Sequence, residues 1–224
     1  WGDLALTRWT EDPVRDSDGT FFYIRNLTEN KVWSPSYQPC RVESKDAAMS
    51  FSLGKIGFTR TDGEIHTRMN ICVSAEFDAE VREIVLTNQG QAPCTVEVSS
   101  YLEPVLASLS AYNAHPAYSR LFIETEALPD QDALLARRRA AESDADNPWL
   151  VHMVYVEGQT VGVLEFETDR SRFIGRGRST GSPQGLQTTQ RLSGASGHVI
   201  DPLFCLRRRV EIAPETSARF SFIT

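Results

Sequence analysis

The chain has 224 residues, 41% of them hydrophobic and 24% charged, a globular composition long enough to bury about 70% of its unfolded surface. Its net charge of −7 lacks the basic footprint of a nucleic-acid binder, and the local runs Arg137–Arg139 and Arg207–Arg209 sit in acidic surroundings. No stretch of about 18 apolar residues exists to span a membrane, and the scattered cysteines 40, 72, 94 and 205 read as buried free thiols of a reducing compartment, not as a zinc site or disulfide framework.

The chain opens on Trp1-Gly2-Asp3, without an initiator methionine and without the basic start and apolar run of a signal peptide. This reads as a segment of a longer polypeptide. The acid-rich stretch from Trp9 to Gly19 offers only Asp16, Asp18 and Gly19 to a calcium loop of the EF-hand kind, with no closing glutamate. It reads as a solvated turn. Trp9, Trp33 and Tyr37 flank turns, where an aromatic face can stack on the C–H groups of a pyranose or cover the edge of a core with its polar tip wet.

Period-two alternation then dominates, the mark of half-buried strands. It is clearest in Ile65–Val73, where Ile65, Thr67, Met69 and Ile71 oppose His66, Arg68 and Asn70. Further strands are predicted at Phe21–Arg25, Val81–Asn88, Thr95–Leu102, Leu121–Glu126, Leu150–Glu157, Val161–Thr168, Leu206–Ile212 and Ala218–Ile223, all rich in β-branched and aromatic residues. Turn chemistry separates them at Asp16–Gly19, Thr61–Gly63, Asn88–Gly90 and Glu157-Gly158. Many short strands with such turns predict one all-β, antiparallel domain over residues 1–224.

One segment departs from the pattern. Asp130 to Glu142, with an acid in front and Leu134, Leu135 and three arginines behind, predicts a single short surface helix. Arg172 to Gly197, rich in Gly, Ser, Thr and Gln, predicts a long loop of the kind that is usually functional or disordered.

Candidate chemistry is sparse. His115 could act on a sugar with Glu124, Glu126 or Glu167, although spacing says nothing about convergence, and a hydrogen-bonded structural histidine is the simpler reading. His66, His152 and His198 have no ligand spacing. The stretch Glu165–Arg178 is the most unusual, with Arg170, Arg172, Arg176 and Arg178 among three carboxylates and with Gly175 and Gly177 permitting close backbone approach. Its guanidinium forks suit hydroxyls, phosphates or carboxylates, or an internal ion-pair network that pins the loop. No Walker loop, nucleophile elbow, metal motif or dinucleotide fingerprint is present.

A family resemblance rests on ordered blocks along almost the whole chain. They are Arg8-Trp9-x-Glu11-Asp12-Pro13-x-Arg15-Asp16, Val32-Trp33-Ser34-x-x-Tyr37-Gln38-Pro39 and Ala114-His115-Pro116-Ala117-Tyr118-Ser119-Arg120 running on to Glu126. Phe166-Glu167-Thr168-Asp169-Arg170-x-Arg172-Phe173-x-Gly175-Arg176-Gly177-Arg178 and Asp201-Pro202 complete the series. Together they resemble the glycosyltransferase-36-like (glycoside hydrolase family 94) region of cyclic β-1,2-glucan synthases, relatives of the cellobiose and chitobiose phosphorylases.

The resemblance implies a β-supersandwich of the galactose-mutarotase-like type, placed before an (α/α)6 barrel that carries the catalytic carboxylate and most of the phosphate site. It implies no cofactor, a glucan or oligosaccharide as ligand, and the barrel of the parent chain as partner. A neighbouring subunit in a homodimer is a further partner in some members. Nucleic acid and direct membrane contact are not implied. The parent would sit in the bacterial inner membrane, with this domain facing the cytoplasm. By the same resemblance the Ala114–Arg120 segment reaches the substrate cleft. The expected carbohydrate contacts are Trp9, Trp33, Tyr37, His115, Arg120, Arg170 and Arg176, with no catalytic or metal-binding residue in the chain itself.

Overall fold

A computed structural model describes all residues except 11, 13, 15, 140–147 and 188–189. In chain order the strands are β1 (Leu4–Thr7), β2 (Phe21–Asn26), β3 (Lys31–Trp33), β4 (Ala48–Ser52), β5 (Lys55–Asp62), β6 (Ile65–Val73), β7 (Glu80–Asn88), β8 (Cys94–Tyr101) and β9 (Pro104–Ser108). Two short helices follow, α1 (Leu109–Ala114) and α2 (Pro116–Arg120), and then β10 (Ile123–Leu128), β11 (Ala133–Arg138), β12 (Trp149–Glu157) and β13 (Gln159–Asp169). A third helix, α3 (Arg170–Ile174), precedes β14 (Gly197–His198), β15 (Pro202–Ile212) and β16 (Ser217–Ile223).

The strands form three antiparallel sheets: β1-β9, β14-β10-β11-β12-β16-β7-β6-β5-β4, and β13-β15-β8-β2-β3. The all-β class expected from the alternation is what the chain adopts. The β6 strand keeps its predicted bounds, and its inward Ile65, Thr67 and Met69 are buried while Arg68 is exposed. Gly63 takes φ +62° in the turn that joins β5 to β6, a backbone conformation that L side chains rarely adopt. Alternation alone missed β1, β3, β4, β5, β9, β11 and β14; β1 pairs with the distant β9 and β14 with the distant β10, whereas β3, β4, β5 and β11 belong to local hairpins.

The predicted helix at Asp130–Glu142 is corrected. Pro129–Gln131 is one 3-10 turn, Asp132 closes it in the left-handed region, and Ala133–Arg138 is strand. Register decides the outcome: Leu128 faces Ala133 and Ile123 faces Arg138, so Ala133, Leu134 and Ala136 become buried. Pairing and burial outweigh a helix propensity worth only tenths of a kcal/mol per residue. The end of that predicted helix, beyond Arg139, lies outside the described residues. Helices occur instead where loops were expected. Ser108 Oγ caps α1 by accepting from Ala111 N at 3.3 Å, Pro116 opens α2, and Asp169 caps α3 by accepting from Ser171 N at 2.9 Å.

The chain divides into two compact units. The first comprises Trp1–Phe21, Ser100–His152 and Glu165–Leu206; the second comprises Phe22–Ser99, Met153–Leu164 and Arg207–Thr224. In the second, the inward faces of β6, β7 and β16 (Thr67, Ile84, Leu86, Phe220, Phe222) meet β2 and β3. The rings of Phe22 and Phe222 lie 4.7 Å apart, and Trp33 Nε1 donates to Thr67 Oγ1 at 3.2 Å. Its buried Arg207 and Glu97 pair at 3.3 Å, and Arg209 reaches the other Glu97 oxygen at 2.7 Å. In the first unit, Phe21, Tyr101 and Phe173 pack ring to ring, and Ala5, Val105, Ala107 and Tyr112 form a smaller cluster.

All four cysteines are free thiols; Cys205 is buried, and burial pushes the Cys40 thiol up to about 11.

Candidate functional site

The first unit contains a chain of charges that begins at Glu103, just after β8. Glu103 is nearly buried, and three donors share its carboxylate. Tyr101 O–H donates to Oε1 at 2.5 Å, Arg170 Nε donates to the same oxygen at 3.0 Å, and Arg8 Nη1 donates to Oε2 at 2.6 Å. Tyr101 and Glu103 can meet because positions i and i+2 along extended chain share a side. Arg8 also faces Asp18 at 3.8 Å, so the acid-rich loop contributes an ion pair to its own unit.

The chain of charges continues through Arg170, whose Nη1 lies 3.4 Å from Asp201. Arg120 Nη1 reaches the other oxygen of Asp201 at 2.7 Å. One carboxylate therefore ties the end of α2 to the start of α3. Burial is the largest influence on Glu103 and opposes its charge, but Arg8 and Arg170 outweigh it and hold the carboxyl below its usual range. Burial raises the Tyr101 hydroxyl, with Glu103 adding to the effect, so it stays a donor.

A second set of contacts holds the long loop. Glu165 Oε2 accepts from Leu192 N at 3.1 Å. Glu167 accepts from Ser193 N at 3.3 Å through one oxygen and from Thr168 N and Asp169 N, both at 3.1 Å, through the other. Thr168 Oγ1 donates to Ala195 O at 2.9 Å, and Gly194 N to Phe166 O at 3.0 Å. The carboxylates of Glu165 and Glu167 thus fasten backbone N–H groups of the loop, while Asp169 faces Arg172 Nε at 3.5 Å. Between Arg170 and Ile200 there are five arginines and no Asp or Glu. Arg172, Arg176, Arg178 and Arg191 are exposed. Beside them Glu167, Arg172, Gln184, Gln190, Arg191 and Ser193 line a polar recess of about 140 Å³.

The sequence-derived candidates separate cleanly in this geometry. Arg120 and Arg170 come together on Asp201, Arg120 through Nη1 and Arg170 through Nη1 while its Nε donates to Tyr101 and Glu103. Trp9 follows the anchored Arg8 and is half exposed. His115 joins α1 to α2, is exposed, and accepts from Ser119 N through its carbonyl at 2.9 Å. Arg176 is exposed and has no hydrogen bond or ion pair with the described residues.

Trp33 and Tyr37 belong to the second unit. Tyr37 is exposed, but Trp33 is 2% exposed with its ring in the core and its N–H engaged by Thr67. Trp33 therefore offers no face to a sugar, because β2, β6 and its own strand enclose it. The other histidines are accounted for locally: His152 is buried against Ser100, His66 bonds Thr61, and His198 lies 3.8 Å from Glu124. Sequence reasoning missed Tyr101, Glu103 and the exposed Tyr118. The only signal for the first two was a tyrosine and a glutamate two positions apart in extended chain, which becomes meaningful only beside Arg8 and Arg170.

The fold is that of a β-rich, multi-sheet domain whose arginine-bearing loop is fixed on a buried charge network. The family model for the glycosyl hydrolase 94 supersandwich domain matches residues 1–224, and the chain belongs to that family. Among curated relatives, it is 34% identical to cyclic beta-(1,2)-glucan synthase NdvB of Rhizobium meliloti (strain 1021), over 95% of this chain and 8% of the relative. It is 23% identical to solabiose phosphorylase of Paenibacillus borealis, over 73% of this chain and 20% of the relative. Against N,N'-diacetylchitobiose phosphorylase of Vibrio proteolyticus it is 21% identical, over 97% of this chain and 26% of the relative. The chain thus spans a quarter or less of the length of most of these proteins, all of them large enzymes. Among the described residues no helix is long and apolar enough to cross a membrane.

Proposed function

We propose that this chain is a non-catalytic, carbohydrate-associated domain of a cyclic β-1,2-glucan synthase-like enzyme, supporting or contacting a glucan held mainly by a separate (α/α)6 domain. The observation that carries the proposal is the arginine-bearing loop between Arg170 and Ile200. It has five guanidinium groups, no carboxylate, and a base anchored by Glu103, Glu165, Glu167 and Asp201. Exposed planar forks donate in pairs to neighbouring sugar hydroxyls, and the exposed rings of Trp9 and Tyr118 offer stacking faces. The carboxylates most buried in the first unit are committed to arginines or backbone N–H groups, which suits positioning better than proton transfer. On this reading the domain faces the cytoplasm beside the inner membrane that holds its parent.

Calorimetry with linear β-1,2-gluco-oligosaccharides tests the proposal. Millimolar binding is expected, weakened about tenfold by Arg176→Ala, the scale of one lost hydrogen bond to a charged group. No heat at millimolar sugar from the folded chain would reject contact with glucan and leave a purely structural or dimerisation role. Phosphate-dependent sugar release or anomer interconversion by the chain alone would instead make it an autonomous phosphorylase or a mutarotase-like enzyme.

A further inference from the structure

The first unit carries a row of polar side chains that lies outside the arginine loop's own contacts. His198 of β14 stands opposite Glu124 of β10, and Glu124 stands opposite Arg137 of β11. Next in the row, the Arg137 guanidinium lies over the indole of Trp149 at the start of β12, 5.0 Å from the ring centroid. The four strands are successive in their sheet. At the usual strand separation the row runs roughly 14 Å, from imidazole through carboxylate and guanidinium to indole.

The row is held at its centre and open on its outer side. Glu124 Oε2 accepts from Arg137 Nε at 3.0 Å, and Oε1 lies 3.7 Å from Arg139 Nε and 3.8 Å from His198 Nδ1. Arg139 is itself tied down, its Nη2 donating to Leu121 O at 2.6 Å with the guanidinium over the Phe122 ring. The contact with Trp149 steadies the Arg137 fork. Trp149 is 49% exposed and the Arg137 side chain 51%. Among the described residues, neither terminal nitrogen of Arg137 and no indole N–H of Trp149 makes a hydrogen bond.

We propose that this row is a second carbohydrate contact of the domain, one that takes a neutral, polyhydroxylated chain. Charge selects the ligand. Glu126 is exposed two residues along β10, on the same face as Glu124, so two carboxylates here balance the guanidinium groups of Arg137 and Arg139. An anion drawn to the arginines meets Glu124 between them, and a cation drawn to Glu124 meets the arginines. A sugar hydroxyl suits both, because it donates to the carboxylate and accepts from the guanidinium. Its ring then lays a C–H face on the half-exposed indole. A row longer than one pyranose selects an oligosaccharide over a single sugar.

The site rests on the reading of the domain as carbohydrate-associated and adds to it a place of contact apart from Arg176. Its members are Glu124, Arg137, Trp149 and His198, so the two contacts are separable by substitution. Because the ligand is neutral, its affinity at this row should vary little with salt.

Nuclear magnetic resonance of the isotope-labelled chain, titrated with linear β-1,2-gluco-oligosaccharides, is the test. It reads the indole N–H signals, with Trp149→Phe assigning the one concerned. The Trp149 signal is expected to move and saturate at millimolar sugar, in the wild type and in Arg176→Ala alike, while the signal of the buried Trp33 stays in place. Arg137→Ala and Glu124→Gln should each weaken this binding about tenfold, the scale of one lost hydrogen bond to a charged group, with circular dichroism unchanged. Inorganic phosphate should leave the Trp149 signal where it is. A Trp149 signal indifferent to sugar would overturn the site, and the loop contact read by calorimetry would stand. A response lost in Arg176→Ala would merge the two contacts into one, and equal movement with phosphate would make the row an anion site; either result sinks the proposal. So would a response unchanged by both Arg137→Ala and Glu124→Gln. A Trp149 response beside calorimetry indifferent to Arg176→Ala would instead keep this site and overturn the loop contact.

Discussion

Glu103→Ala is expected to destabilise the first unit by about 3 kcal/mol, read as a shift in the urea unfolding midpoint. The carboxylate removed is almost buried and neutralises Arg8 and Arg170 at once. Taking away one partner of a buried ion pair costs roughly 3–5 kcal/mol, because the remaining charge stays desolvated and uncompensated. Arg8 and Arg170 keep 21% and 27% of their side-chain exposure, so water relieves part of the penalty and the lower end applies.

Arg170→Ala in the Glu103→Ala background should cost much less than in the wild type, since the two contacts are one interaction. Tyr101→Phe should cost about 1 kcal/mol, because Arg170 and Arg8 still serve the carboxylate. Hydrogen exchange at the α3 amides should quicken in the Glu103 variant, because Arg170 begins that helix. A loss below 1 kcal/mol would mean that Glu103 is not the anchor described.

The same carboxylate predicts a pH dependence with a definite sign. Its folded-state pKa is held below the usual carboxylate value near about 4.3. The unfolded chain therefore binds the proton more readily than the folded one. The contribution of Glu103 to stability is fully present above about pH 4.3 and is lost as pH falls through the lower folded value. Glu103→Gln should flatten this part of the acid limb. Asp46, held to about 2 by bonds from Thr61 and Ser44, works in the same direction and would leave a residual slope.

Trp33→Ala is expected to cost about 3–5 kcal/mol and to leave oligosaccharide binding unchanged once the unfolded fraction is allowed for. Its indole is 2% exposed, so truncation removes the transfer energy of a large ring and leaves a cavity that the surrounding strands cannot collapse to fill. Thr67 Oγ1 also loses its donor. A tryptophan serving as a sugar platform would behave the opposite way, with stability near wild type and binding abolished. Trp9→Ala makes a useful comparison, since its exposed ring predicts little change in stability.

Alternation of apolar and polar residues carried the fold class, because the side-chain period of a half-buried strand is written directly in the order of residues. It also located most of the longer strands, with β6 recovered end to end. The alternation fails at β11, where Ala133–Arg138 reads as helical until its pairing with β10 is known. It fails again at β4, whose exposed alternation acquires meaning only from its place at the end of a sheet. The arginine concentration after Glu165 was visible as composition. Its division into anchored Arg170 and exposed Arg176 was not, since that depends on Glu103 and Asp201, which lie 67 and 31 residues from Arg170.

The order of residues by itself determined an all-β chain of this family with an unusual arginine loop, since periodicity, turn chemistry and motif blocks are local properties. Tertiary structure alone decided that Trp33 belongs to the core, that Glu103 and Asp201 hold the loops, and that β4 ends the nine-stranded sheet. Burial and ion pairing are relations between residues distant in the chain, and only the folded backbone brings those residues within a few ångströms.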